Sequence, residues 1–190
     1  MNAIKHYELL KSLPAYGPMH IAFSNNGQPF YSEGVAIRFY KKDGTDWVGN
    51  FAPGSTELTE IITLHNCPYP LVISNGSCYL IDIDSGLPIA ILGNDYTQLY
   101  VASRNRYILV DSIAITIVEP DGNYWHTERI SWDGLKVLNV ERNIITGEAF
   151  SPTVEADEWH SFSYDIDSRI LQGGSYTHPL PTEKKWWKFW

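Results

Sequence analysis

Six glycine-tipped turns cut this chain into short apolar runs, and that spacing confines most of it to β-structure. The pairs are Asn26-Gly27, Asp43-Gly44, Asn75-Gly76, Ser85-Gly86, Asp121-Gly122 and Asp133-Gly134. Asn-Gly and Asp-Gly accept the left-handed dihedrals of tight hairpins. From about Ile21 onward the runs between them are rich in Val, Ile, Thr, Tyr and Phe, the composition of strands joined by hairpins. Seven Trp, twelve Tyr and seven Phe point the same way, because flat side chains pack well on a pleated surface. The expected fold is all-β, an antiparallel meander whose sheets form a sandwich or a propeller-like arrangement. One short N-terminal helix is expected before it, capped by Asn2, with Ile4, Tyr7, Leu10 and Lys11 at helical spacing until Pro14 intervenes.

Two pairs of segments echo each other. VAIRFYKKDGTDW from Val35 aligns with IAITIVEPDGNYW from Ile113, sharing Ala36/Ala114, Ile37/Ile115, Asp43/Asp121, Gly44/Gly122 and Trp47/Trp125. IDIDS from Ile81 returns as YDIDS from Tyr164. The two echoes come in the same order at similar offsets, which predicts a duplicated four-stranded unit over 35–86 and 113–168. Residues 1–180 are expected to form one β-rich domain, followed by a separate aromatic and basic tail over 181–190.

A chain of 190 residues can bury a core without metals or disulfides. Its formal charge of −8 opposes nucleic-acid phosphates and attracts basic proteins. No run approaches the roughly 20 apolar residues of a membrane-spanning helix, and MNAIKHYELLKSL lacks the apolar stretch of a signal peptide. Cys67 and Cys78 are therefore expected as reduced thiols in a cytoplasm.

No constellation for chemistry is complete. Ser77 and Ser175 follow glycines without the flanking pattern of a nucleophile elbow. His65, Cys67 and Cys78 offer zinc ligands only if their strands converge, and the usual paired spacing is missing. The acidic turns at Asp82 and Asp165 offer oxygen ligands but lack the further carboxylates of a calcium loop. Glu128, Asp133, Glu148 and Glu158 lie near aromatics, yet nothing selects a glycosidase pair among them. No catalytic residue, cofactor or metal is expected.

The last residues, PTEKKWWKFW, place Trp186, Trp187, Phe189 and Trp190 among Lys184, Lys185 and Lys188. Rings with interleaved cations suit a membrane interface, a groove on another protein, or packing back on the domain itself. These four aromatics are the expected partner-binding residues, for another protein or for self-association. The leading expectation is a non-catalytic protein-binding domain, such as a bacterial immunity or inhibitor protein neutralising a basic toxin. The alternative is a carbohydrate-binding or carbohydrate-hydrolysing β-protein, with a cleft lined by several of Trp47, Trp125, Trp132 and Trp159.

Overall fold

Every residue of Leu71–Ser74 and all but the last of Ser77–Asp82 are buried. A strand can hide both of its faces only when a layer packs on each side. The computed structural model describes residues 6–28, 30–152 and 157–176. It meets that requirement with four four-stranded sheets stacked in chain order.

The first sheet holds β1 (Tyr7–Leu9), β2 (Ile21–Phe23), β3 (Val35–Tyr40) and β4 (Asp46–Phe51), in the order β1-β3-β4-β2. The second holds β5 (Glu60–Ile62), β6 (Leu71–Ser74), β7 (Ser77–Asp82) and β8 (Leu87–Gly93). The third holds β9 (Gln98–Ala102), β10 (Arg106–Val110), β11 (Ile115–Val118) and β12 (Tyr124–His126). The fourth holds β13 (Leu135–Glu141), β14 (Ile144–Pro152), β15 (Asp157–Asp165) and β16 (Ile170–Gly173). The last three are plain antiparallel meanders.

Three clusters of buried side chains glue consecutive sheets together. Phe39 and Phe51 of the first sheet meet Val72, Tyr79 and Ile81 of the second. Leu71, Ile73 and Leu80 leave the opposite face of that second sheet and meet Leu109 and Val118 of the third. Ile108, Ile115 and Ile117 then meet Ile145, Phe162 and Tyr164 of the fourth. Each fully buried aliphatic or aromatic side chain contributes about 1.5–3 kcal/mol. Among the described residues, no such cluster joins the first sheet to the fourth. These described sheets form an open stack.

The all-β expectation holds, with two corrections. Tyr7–Leu9 is a strand rather than part of a helix, pairing Tyr7 with Phe39 and Leu9 with Ile37. Alternation puts Tyr7 and Leu9 on one face, and pairing with β3 outweighs a helical spacing spread over only a few apolar residues. Residues 1–5, with Asn2 and Ile4, lie outside the described residues. The second correction is β2, which runs parallel to β4, so the first sheet is mixed and not a meander.

The echoing segments both form hairpins, a central pair of strands in the first sheet and an edge pair in the third. Both Asp-Gly pairs turn a hairpin, β3–β4 and β11–β12, with glycine φ of 86° and 89°. Each hairpin lies against a DIDS turn of the next sheet. In each turn the first Asp accepts the backbone N–H of the second: Asp82 from Asp84 at 3.0 Å, and Asp165 from Asp167 at 2.9 Å. Each second Asp then meets a cation, Lys42 Nζ at 3.0 Å from Asp84 and Arg106 Nη1 at 2.6 Å from Asp167.

Candidate functional site

The stacking separates most of the residues that sequence singled out. Ser175 is buried, donates its hydroxyl proton to the Phe150 carbonyl at 2.5 Å and accepts the Trp132 N–H at 3.2 Å. That geometry ties loops together, and among the described residues Ser175 Oγ bonds only backbone groups. Ser77 is buried within β7. Cys67 and Cys78 are free thiols in the core between the second and third sheets, and burial pushes the Cys78 thiol far up. His65 is exposed, and no group of three or more His, Cys, Asp or Glu side chains among the described residues could hold a metal ion. Asp82 and Asp165 spend a carboxylate oxygen on their own turns, as above.

The aromatics part company as well. Trp47 lies between the first and second sheets, and Trp125 packs against the third and fourth. Trp132 lies in the β12–β13 connection and Trp159 on β15 of the fourth sheet, each under a cation. Arg129 lies 5.4 Å from the Trp132 ring centre and 4.6 Å from that of Tyr176, and Lys136 Nζ lies 3.6 Å from that of Trp159. A sugar stacks on a bare indole face, and here a cation already sits over each ring. Glu128 and Asp133 belong to the β12–β13 connection, Glu148 to β14 and Glu158 to β15. Trp186, Trp187, Phe189 and Trp190 lie outside the described residues.

Two of the depressions between the first and second sheets are lined by aromatic side chains. One, of about 470 Å³, is lined by Tyr7, Tyr40, Lys42, His65, Tyr69 and Asp84, among others. Its polar groups largely satisfy one another. The Tyr40 hydroxyl donates to Glu8 at 2.8 Å, a bond that raises its pKa. Lys42 pairs with Asp84, which holds the lysine pKa up and the carboxyl down. Tyr7 donates to the Ile61 carbonyl at 3.3 Å.

The other is an apolar groove of about 320 Å³ between the edge strands β2 and β8. Phe23 and Tyr79 line its buried part, and Ile21, Leu87 and Ile91 form a rim that is 39%, 61% and 37% exposed. Gly86 keeps the two strands close: a Cβ there would sit 3.0 Å from Ile21 Cδ1. The pairing register also shifts between Leu80 and Ile81, and the neighbouring Ile89 of β8 is half exposed. Ile21, Leu87 and Ile91 thus set partly exposed apolar side chains along one concave edge.

Among the described residues, none that lines the groove is charged. No Lys or Arg occurs between Lys42 and Arg104, a stretch that supplies the whole second sheet and carries Asp43, Asp46, Glu57, Glu60, Asp82, Asp84 and Asp95. Sequence reading found neither the groove nor its setting. The signal was present as three apolar residues at Leu87, Ile89 and Ile91, which alternation alone would have sent inward. Comparison with known protein families finds no match for this chain, and none of the curated proteins matches it either.

Proposed function

We propose that this chain is a non-catalytic protein-binding domain that takes a basic, apolar-anchored segment of a partner into the β2–β8 groove. The observation that carries the reading is the exposed rim of Ile21, Leu87 and Ile91 around a ready-made apolar floor. Apolar anchors would supply affinity by leaving water, and cations beside them would be drawn by the chain's net charge of −8. A basic toxin held inactive by this domain is one partner of that chemistry. Residues that sequence nominated for catalysis support the same reading, since Ser175 and the two cysteines serve packing.

Selection of random twelve-residue peptides against the protein tests the proposal. The expected winners carry Lys or Arg beside Trp, Phe or Leu, and they bind more weakly as salt rises. The paired substitution Leu87→Asp and Ile91→Asp should abolish their binding while leaving the folded spectrum unchanged, because both side chains face solvent. Winners without a basic bias, or binding indifferent to the paired substitution, would remove the proposal.

A further inference from the structure

The tyrosine-lined hollow beside Asp84 answers, by the two sequence echoes, to a place that a guanidinium already fills between the third and fourth sheets. We infer that this hollow receives an arginine side chain of a partner protein, with Asp84 as the carboxylate that holds it. The hollow is separate from the β2–β8 groove, and the inference does not depend on the reading of that groove.

The echoes align the walls of the two places, Asp84 with Asp167 and Tyr40 with Val118. Asp167 accepts Arg106 Nη1 at 2.6 Å, and the same guanidinium reaches Glu119 at 3.0 Å and Asn143 at 3.4 Å. The Arg106 side chain is only 9% exposed, so that place is closed. Asn143 belongs to the tight connection 142–143 between β13 and β14. The matching connection between β5 and β6 runs over 63–70, and its Thr63, His65 and Tyr69 line an open hollow of about 470 Å³ instead. Asp84 pairs there with Lys42, whose side chain is 80% exposed. An ion pair so open to water is weak and easily exchanged. Asp84 accepts the Lys42 N–H at 3.3 Å and Nζ at 3.0 Å, and a carboxylate has about four lone-pair sites, so it can also accept a guanidinium.

Charge and shape both select arginine. With His6 and His65 counted as neutral, the lining holds two carboxylates, Asp82 and Asp84, against one ammonium, Lys42. That excess repels an anion and draws a cation. Tyr7, Tyr40 and Tyr69 add aromatic walls. They favour guanidinium over ammonium, because guanidinium is planar, weakly hydrated and stacks on rings. The hollow's volume lies within the roughly 300–1,000 Å³ of small-ligand pockets. Register also identifies a competitor within the chain. Tyr107 pairs with Val118, and the His6 carbonyl accepts the Tyr40 N–H at 3.0 Å. The position answering to Arg106 is therefore Lys5, which lies outside the described residues.

The test titrates the full-length chain with N-acetyl-arginine methylamide and follows backbone amide shifts by NMR. The citrulline counterpart, a neutral isostere, and the lysine counterpart are titrated alongside. The arginine probe should give saturable shifts at Tyr40, Lys42 and Asp84, with a Kd on the order of a millimolar. Citrulline and lysine should bind roughly tenfold more weakly, and Asp84→Asn should weaken the arginine probe by a similar factor. Lys42→Met removes the exposed competitor and should tighten the probe about threefold. Leu87→Asp with Ile91→Asp should leave the probe's Kd unchanged, so the hollow and the groove stand or fall separately. Citrulline binding as tightly as arginine, or no saturable shift at these residues, would overturn the inference. So would probe binding lost with the groove substitutions, which would place the guanidinium in the groove. Binding that appears only after Lys5→Ser would make the chain's own lysine the occupant and overturn it as well.

Discussion

Trp47 Nε1 donates a 2.8 Å hydrogen bond to the backbone carbonyl of Ile83, pinning the β3–β4 hairpin to the turn between β7 and β8. Trp125 does the corresponding work two sheets later, donating at 3.1 Å to the Tyr164 hydroxyl, with Arg169 stacked 4.2 Å from its ring. In both places a hairpin tryptophan is bonded to the next sheet at a DIDS segment, to Ile83 within the first and to Tyr164 just before the second.

These two tryptophans should behave alike under substitution. Trp47→Phe keeps an apolar ring and loses the donated bond, a cost of about 1 kcal/mol. Trp47→Ala also empties half-buried volume and should cost about 3 kcal/mol. Trp125→Phe and Trp125→Ala should follow the same order. Urea midpoints with unchanged slopes would record it, and an alanine variant as stable as the natural chain would show that the hairpins are held elsewhere.

Tyr79 offers a test of opposite sign. Its side chain is wholly buried beside the groove, and its hydroxyl forms no hydrogen bond. Burial raises its pKa, while the neighbouring Ser77 hydroxyl works the other way. A buried hydroxyl left unpartnered costs about 1–3 kcal/mol. Tyr79→Phe removes that cost without changing the ring, so it should leave stability equal or raise it by about 1 kcal/mol. A clear loss of stability on thermal unfolding would mean that the hydroxyl has a partner in solution.

Turn chemistry and apolar runs made the strands legible, because both are local. Asn75-Gly76 has φ of 48° and 93°, the left-handed pair that a two-residue hairpin between Ser74 and Ser77 demands. Helical spacing misled at Tyr7, where a short segment with little propensity of its own took the conformation set by β3. The parallel placement of β2 was illegible for a related reason, since three residues carry no record of which strand they join. The groove needed three dimensions: Ile21 and Leu87 are 66 positions apart, and only the stacking of two sheets brings their edges together. The basic residues tell the same story. Sequence showed one basic cluster, whereas the fold buries Arg106 among Glu119, Asn143 and Asp167 to join the third sheet to the fourth.

That junction should set the response to acid. The hydrogen bond from Arg106 holds the Asp167 carboxyl below its ordinary range, assisted by Arg104 and Asn143 and opposed by burial. A depressed folded pKa means that the unfolded chain takes up the proton first as pH falls. The stabilisation is therefore complete above about pH 4 and disappears as pH drops through the folded value. Arg106→Met should lower stability at pH 7 and flatten the decline below pH 4. Salt should spare this decline more than the share owed to the exposed Lys42–Asp84 pair, because Arg106 is only 8% exposed. Urea midpoints between pH 3 and 7 at two salt concentrations decide it. An acid limb as steep in Arg106→Met as in the natural chain would assign the effect to other carboxylates.

The last prediction concerns a proton count. Tyr96 donates its single hydroxyl proton to the Leu92 carbonyl at 2.9 Å, so its 2.7 Å contact with Thr116 Oγ1 must be donated by Thr116. Thr116 then has no proton left for His126 Nδ1, also 2.7 Å away, and the ring nitrogen must be the donor. Neutral His126 is thus fixed with its proton on Nδ1 and its lone pair on Nε2. It follows that the imidazole cannot act as a base on Thr116, although a hydroxyl beside a histidine has the outline of an activated nucleophile. Long-range proton–nitrogen NMR of the histidine ring should find Nε2 as the bare nitrogen. Tyr96→Phe frees the Thr116 proton to point at Nδ1, so it should shift the ring toward the Nε2–H form. Leaving the Leu92 carbonyl without its donor should also cost about 1–3 kcal/mol. Thr116→Val keeps the Tyr96–Leu92 bond and leaves the exposed ring to water, for a smaller loss of about 1 kcal/mol. A natural chain with its proton on Nε2 would reverse the Tyr96–Thr116 and Thr116–His126 bonds, take the Tyr96 proton away from the Leu92 carbonyl, and leave Thr116 a hydroxyl with a base in reach.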